Sequence, residues 1–450
     1  DARSGLKAAP RASAHARAGY LSATCEFVPD PALQQQLAAL AGVVITQGFI
    51  ASDAAGDTVL LGRGGSDTSA AYLAAKLAAE RLEIWTDVPG LFSANPRSTP
   101  QARLLRSLHY DEAQEIASSG AKVLHTRCIL PAKSQQIPIA VYATQRPQLP
   151  GTYISADGGD GTAQVKAVCV KKGITLVSLD SPGMWHEVGF LADAFQIFKR
   201  HGLSVDLVST SETNVTVSLD PAANALDAAL IERLLADLSG LCGAQVIGPC
   251  ASVSLVGRNI RAILHQLGEA FELFADPRIY LLSQAANDLN FSFVVDEQQA
   301  DRLVDALHER LIQPVRGQSI LGPTWEQLFA PPAGTAAAPA PSWWRTRRSE
   351  LLALAAGHDC AYVYDPAVIR AAAAALTALQ SVDRVLYAMK ANPNAAILRL
   401  LAGQGIGFEC VSRGEIEHLR ASVPQLVPAR ILFTPNFAPR EEYAWALEQG

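Results

Sequence analysis

At 450 residues the chain has room for two to four domains with substantial cores. Its hydrophobic fraction of 49% argues against disorder, and a formal net charge of −6 offers no electrostatic case for nucleic acid or an anionic membrane. No apolar run reaches the roughly 18 residues of a membrane helix, and the seven scattered cysteines lack a C-x-x-C pair, so free thiols in a reducing cytoplasm are expected.

The opening, Asp1-Ala2-Arg3-Ser4-Gly5, has no initiator Met and no signal peptide. Val43-Val44-Ile45-Thr46-Gln47-Gly48 predicts a buried strand ending at a glycine. Next comes Leu61-Gly62-Arg63-Gly64-Gly65-Ser66-Asp67-Thr68-Ser69, then an alanine-rich helix to about Arg81. Glycines let backbone N–H groups approach an anion, and a helix N-terminus adds partial positive charge. The loop is neither a Walker loop nor G-x-G-x-x-G, so alone it reads better as an ordinary strand-to-helix turn. A strand at Leu82–Trp85 then delivers Thr86-Asp87-Val88-Pro89-Gly90, followed by Asn95-Pro96-Arg97 and Gly120-Ala121-Lys122-Val123-Leu124-His125. Polar loops at strand ends are the usual ligand position in open α/β sheets.

In this order, G-R-G-G-S-D, W-T-D-V-P-G and G-A-K-V-L-H resemble the aspartate kinases over residues 1–155. The resemblance implies the C-terminal part of an amino-acid-kinase α/β/α sandwich, using ATP with Mg²⁺ to phosphorylate L-aspartate. It implies that Arg63 holds a substrate carboxylate, a task suited to a planar guanidinium, and that Asp67 orients the amino group. Thr86, Asp87 and Val123 would contact ATP, with Arg97 and Lys122 near its phosphates. Phe49 either lines the substrate pocket or belongs to the core, the usual place of a lone aromatic. Phe92, Asn95 and Thr126 depart from the family's tyrosine, aspartate and proline. The family's opening Lys-Phe-Gly-Gly loop is missing, so the chain is expected to begin inside the kinase domain.

Beyond a glycine and aspartate seam at 156–162, the pattern β-α-β-β-α-β occurs twice between 166 and 315. Strands are expected at 174–179, 203–208, 214–219 and 244–247, then at 251–256, 278–283 and 290–295. Helices are expected near 226–239, 260–274 and 297–312, and another with Leu191, Ala194, Phe195 and Phe198 on one face. This is a ferredoxin-like topology in tandem, 166–247 and 248–315. Packing modules without a ligand would show the same pattern. However, Met184-Trp185-His186-Glu187-Val188-Gly189 and Val205-Asp206 through Ser211 resemble the effector segments of tandem ACT domains in lysine-sensitive aspartate kinases. That likeness implies a homo-oligomer with a lysine site lined by Met184, Gly189, Val205, Asp206 and Ser211. Asp206 would face the effector's ammonium, while Glu187 departs from the family's small polar residue.

Residues 331–341, rich in proline and alanine, form an expected tether. After it, Val385-Leu386-Tyr387 predicts a short buried strand that ends near Lys390. A lysine there can form a Schiff base with a carbonyl cofactor or can be an ordinary surface residue. With Tyr362-Val363-Tyr364-Asp365 and Phe408-Glu409-Cys410-Val411-Ser412-Arg413-Gly414-Glu415, residues 342–450 resemble the start of diaminopimelate decarboxylases. The resemblance implies the first units of an alanine-racemase-type (β/α)8 barrel. Lys390 would bind pyridoxal 5'-phosphate and serve decarboxylation of meso-diaminopimelate to lysine. The expectation is therefore an internal fragment of a bifunctional lysine-pathway enzyme. The alternative is a non-catalytic amino-acid sensor that keeps kinase and barrel remnants.

Overall fold

The computed structural model describes residues 1–9, 23–40, 42–62, 64–121, 123–159, 164–181, 188–224, 226–262, 278–312, 320–329, 342–358, 360–435 and 438–449. All structural statements below concern these residues. They form two units, Asp1–Pro331 and Pro332–Gly450. Arg63, Lys122, Met184 and Glu187 lie outside the described residues, as do the 331–341 tether and most of the expected helix 260–274.

The first unit begins with an α/β part. A hairpin, β1 (Ile50–Ser52) and β2 (Thr58–Leu60), leads into α1 (Gly65–Leu77). Then follow β3 (Leu82–Thr86), β4 (Arg103–Leu105), β5 (Ser107–His109), α2 (Tyr110–Ser118), α3 (Thr126–Ser134), β6 (Ile139–Ala143) and β7 (Thr152–Ser155). Their sheet has the order β3-β6-β7-β5, antiparallel only between β6 and β7. A capping box fixes the start of α2. The His109 ring accepts from the Asp111 N–H at 3.2 Å, and the Glu112 carboxylate accepts from the His109 N–H at 3.0 Å.

The chain then enters β8 (Gln164–Asp180), α4 (Phe190–Arg200), β9 (Val208–Thr210), β10 (Asn214–Leu219) and α5 (Ala228–Ser239). It continues through β11 (Gly243–Arg258), β12 (Ile279–Ser283), β13 (Asn290–Asp296), α6 (Ala300–Leu311), β14 (Leu321–Thr324) and α7 (Trp325–Phe329). One antiparallel sheet, β9-β10-β8-β11-β13-β12, contains most of these strands, and β14 pairs with β4 of the α/β part. The expected strands 244–247 and 251–256 are one strand, β11, running alongside β8, which is one residue longer. Consequently the place beside the second repeat's first strand is taken by residues 164–172, which precede the first repeat's expected opening strand at 174–179. Near β8's start, one apolar core is shared with the α/β part, joining Leu104, Leu108 and Ile116 to Val168, Val253, Phe293 and Leu307. At its far end, Val177, Val217, Phe198 and Leu234 form a second core under α4 and α5.

Several expected elements differ. Val43 and Ile45 are 92% and 91% exposed and in no strand, because no neighbouring strand is there to satisfy the backbone and cover the side chains. The helix after the glycine loop ends at Leu77, where Ala78 turns left-handed. Residues 203–207 are not a regular strand; they follow β10 through bonds between Asp206 N–H and Ser218 O and between Ser218 N–H and Leu207 O. On α4, Phe190, Ala194, Ile197 and Phe198 are buried and Leu191 is exposed, because a helix starting at Gly189 turns that stripe toward the sheet.

In the second unit, α8 (Pro366–Thr377) precedes three strand–helix pairs: β15 (Leu386–Ala388) with α9 (Ala395–Gly403), β16 (Gly407–Cys410) with α10 (Arg413–Ser422), and β17 (Ile431–Phe433) with α11 (Arg440–Glu448). The strands are parallel, in the order β15-β16-β17. Met389, Leu398, Phe408 and Leu419 are at its core. The expected buried strand at 385–387 is half-buried, because β15 is an edge strand with a partner on one side only.

Candidate functional site

The glycine loop is built by close approach. Gly62 and Gly64 have φ of 79° and 67°, a region costly for residues with a side chain. A Cβ on Gly64 would lie 2.2 Å from the His125 ring, and one on Gly65 would lie 2.2 Å from the Phe49 ring. Phe49, itself at φ 74°, is half-buried over the loop rather than in the apolar core, with its N–H on Ser69 Oγ at 3.2 Å. Asp67, half-buried in the first turn of α1, accepts a bond from the His125 backbone N–H; burial nevertheless raises its pKa. Arg127 holds the strand entering the loop, donating to Ala23 O at 2.7 Å and to Leu61 O. Thus Phe49, Asp67 and His125 meet around Gly64 and Gly65.

A second group sits at the end of β3. Thr86 Oγ1 donates to Asp87 at 3.1 Å, and the exposed Asp87 carboxylate lies 3.9 Å from Arg97. No hydrogen bond or ion pair joins Thr86, Asp87 or Arg97 to Phe49 or Asp67 among the described residues. Val123 is half-buried against the core. Among the described residues, no three His, Cys, Asp or Glu side chains gather as metal ligands.

On the six-stranded sheet, Gly189 caps α4 at φ 100° and is exposed, while Val205 packs against the far core. Asp206 lies 3.5 Å from Lys171, which also pairs with Asp220 at 2.9 Å. Ser211 closes the β9–β10 turn, its N–H on Asn214 O at 2.8 Å. Lys171 and Asp220 carry no motif and were not legible as partners of Asp206.

In the second unit, Lys390 follows β15 in a single 3₁₀ turn, Met389–Ala391. Its side chain is exposed and enters no ion pair among the described residues, while Met389 beside it is buried against Cys410 at 3.6 Å. An accessible lysine amine at the C-terminal end of a parallel strand fits a carbonyl cofactor. Other motif residues do local structural work. Asp365 caps α8 through the Ala367 N–H at 2.8 Å, and Ser412 accepts from the Glu415 N–H at 3.3 Å to start α10. Tyr362 is exposed.

Comparison with known proteins gives this geometry a family. Residues 7–142 match the amino acid kinase family. Lysine-sensitive aspartokinase 3 of Escherichia coli is 38% identical over 294 residues, covering 63% of this chain and 65% of the relative's length. The crystal structure of E. coli aspartokinase III with aspartate and ADP aligns at TM-score 0.60 and 34% identity, covering 70% of this chain and 69% of that one. The chain belongs to the aspartokinase family. A second structure of the same aspartokinase, with lysine and aspartate, aligns at TM-score 0.57 and 34% identity over the same shares. In this aspartokinase-family chain, residues 366–450 separately match the pyridoxal binding domain of pyridoxal-dependent decarboxylases. The chain spans less than two thirds of the E. coli relative's curated length.

Proposed function

We propose that the protein joins two activities of lysine synthesis: ATP-dependent phosphorylation of the side-chain carboxylate of L-aspartate, and decarboxylation of meso-diaminopimelate to L-lysine. The kinase reading is carried by the G-R-G-G-S-D loop, whose Asp67 is half-buried beside His125 in a chain 34% identical to an aspartokinase crystallised with aspartate and ADP. Phosphoryl transfer needs alignment and charge neutralisation more than covalent chemistry. Arg63 and Asp67 would hold the two ends of aspartate, with Phe49 closing the pocket. Thr86, Asp87 and Val123 would contact the nucleotide, and Arg97 and Lys122 would face its phosphates, with Mg²⁺ as counter-ion. L-lysine is the proposed effector, supported by the lysine-bound crystal form of the E. coli relative. Its site would be lined by Met184, Gly189, Val205, Asp206 and Ser211 and completed in a homo-oligomer.

The decarboxylase reading rests on Lys390 and the match over 366–450. Lys390 would hold pyridoxal 5'-phosphate through its amine. When bound, that cofactor supplies an electron sink for the charge left as carbon dioxide departs. In the full-length protein, initial rates with aspartate and ATP varied independently test the first activity. Carbon dioxide release from meso-diaminopimelate tests the second. Absence of either activity removes the corresponding half of the proposal.

A further inference from the structure

Arg97 sits on a hairpin that is held from outside the α/β part. At the hairpin's base, the Leu105 N–H bonds Leu91 O at 2.8 Å and the Ser93 N–H bonds Arg103 O at 2.9 Å. Its tip is closed by the Thr99 N–H on Asn95 O at 2.8 Å and the Arg97 N–H on the Asn95 side chain at 3.1 Å. Helix α6, which packs on the six-stranded sheet, reaches both places with side chains one turn apart. His308 Nε2 lies 2.8 Å from Ser93 Oγ, and Asp305 accepts from Thr99 Oγ1 at 2.6 Å. Ser93 Oγ also accepts from the Arg103 N–H at 2.8 Å, and the Ser93 carbonyl accepts from Val168 N–H of β8 at 2.7 Å.

These contacts look inefficient if packing is their only purpose. His308 and Ser93 are fully buried, and His308 Nδ1 has no partner. An orphaned buried nitrogen carries a desolvation cost that an apolar side chain of similar volume would avoid. What the imidazole adds is direction: it fixes the base of the hairpin while Asp305 fixes its returning arm. A flexible hairpin would have to be ordered by the nucleotide itself, at the expense of affinity.

We infer that Asp305 and His308 are positioning residues for the nucleotide site, holding the 91–105 hairpin so that Arg97 faces the phosphates. This rests on the kinase reading of Arg97. The ion pair between Lys172 of β8 and Asp301 at 2.6 Å ties the same helix to the strand that carries Lys171, the partner of Asp206.

The test uses the full-length protein, titrated with ADP and with aspartate by calorimetry and followed by amide hydrogen exchange. Asp305→Ala removes an exposed acceptor, and Ser93→Ala removes the hydroxyl that meets His308. Each should weaken ADP roughly three- to tenfold, the worth of one lost hydrogen bond, with aspartate affinity retained. Exchange should rise within residues 94–102 and stay level elsewhere. Ser93→Thr, which keeps the hydroxyl, should restore ADP binding. If wild-type protein binds ADP and the alanine variants match it, the positioning role is wrong and the kinase reading stands. Equal loss of both ligands, with exchange raised throughout, would mark the contacts as merely structural and also overturn the role. Failure of wild-type protein to bind ADP would overturn the kinase reading itself.

Discussion

Burial moves two titratable side chains of the first unit in opposite directions. Asp67 is pushed up because its charged form is poorly solvated beside the glycine loop. A carboxyl whose folded pKa exceeds its unfolded value loses stability as pH rises through that range, so ionised Asp67 is a strained choice near neutrality. Asp67→Asn should therefore leave the melting temperature level or higher, yet cut kcat/KM for aspartate about tenfold to a hundredfold. Unchanged aspartate kinetics would remove Asp67 from the proposed site. His308 moves the other way: burial lowers it from 6.5 to about 4. Asp305 opposes that shift and Arg103 assists it. Between those two values the unfolded chain binds the extra proton, so stability is lost as pH falls from 6.5 toward 4. Going down to about pH 5 should cost about 2 kcal/mol through this group. Urea unfolding of His308→Gln should show a correspondingly shallower acid slope, and an identical slope would exclude the effect. Asp67 was legible because it stands within an ordered set of motifs. His308 was not, because its partner Ser93 is 215 positions away and a lone histidine on a helix has no signature.

At the scale of elements, the sequence pattern located strands well and strand ends poorly. The strand start expected at 174 and the gap expected between 247 and 251 are both absent: β8 runs through Gly173 with a register shift, and β11 runs through 248 and 249. Turn chemistry cannot distinguish a bulge from a break without the neighbouring strand. Val43–Ile45 fails for a related reason: apolar composition indicates that a segment can be buried and does not supply the partner that buries it. A contact with no local signature joins the α/β part to β8. Lys166 pairs with Glu112 at 2.6 Å with both side chains essentially fully buried, and Glu112 also caps α2. Removing one partner would strand a charge in the core. Lys166→Met should thus cost about 3–5 kcal/mol. Adding Glu112→Gln neutralises the stranded charge while retaining an acceptor for the His109 N–H. The double variant should recover much of that loss in denaturant unfolding. A double variant no more stable than Lys166→Met would show that the pair is held for shape rather than charge.

For the whole molecule, regulation and the second activity give separable outcomes. Free L-lysine at 100 times its Kd should add about 2.7 kcal/mol to the stability of the first unit by mass action. Its ammonium would have to share or displace Lys171, which already lies between Asp206 and Asp220. Asp206→Ala should abolish the lysine-dependent rise in melting temperature. An equal rise in the variant would place the effector elsewhere. Lys390 offers the sharper test because it belongs to a unit with its own core, built on Met389, Leu398, Phe408 and Leu419. In the full-length protein, borohydride treatment with pyridoxal 5'-phosphate should attach a pyridoxyl group to Lys390, found by peptide mapping. Lys390→Ala should remove both that label and the release of carbon dioxide from meso-diaminopimelate. ADP binding should be unaffected, since the two units bury separate sets of apolar side chains. A label on Lys133 or Lys172 instead would contradict the assignment. Both of those lysines already have acidic partners, Asp111 and Asp301, whereas the Lys390 amine enters no ion pair among the described residues. The same accessibility that makes Lys390 an ordinary surface lysine in one reading makes it the reactive one in the other, and the label separates the two.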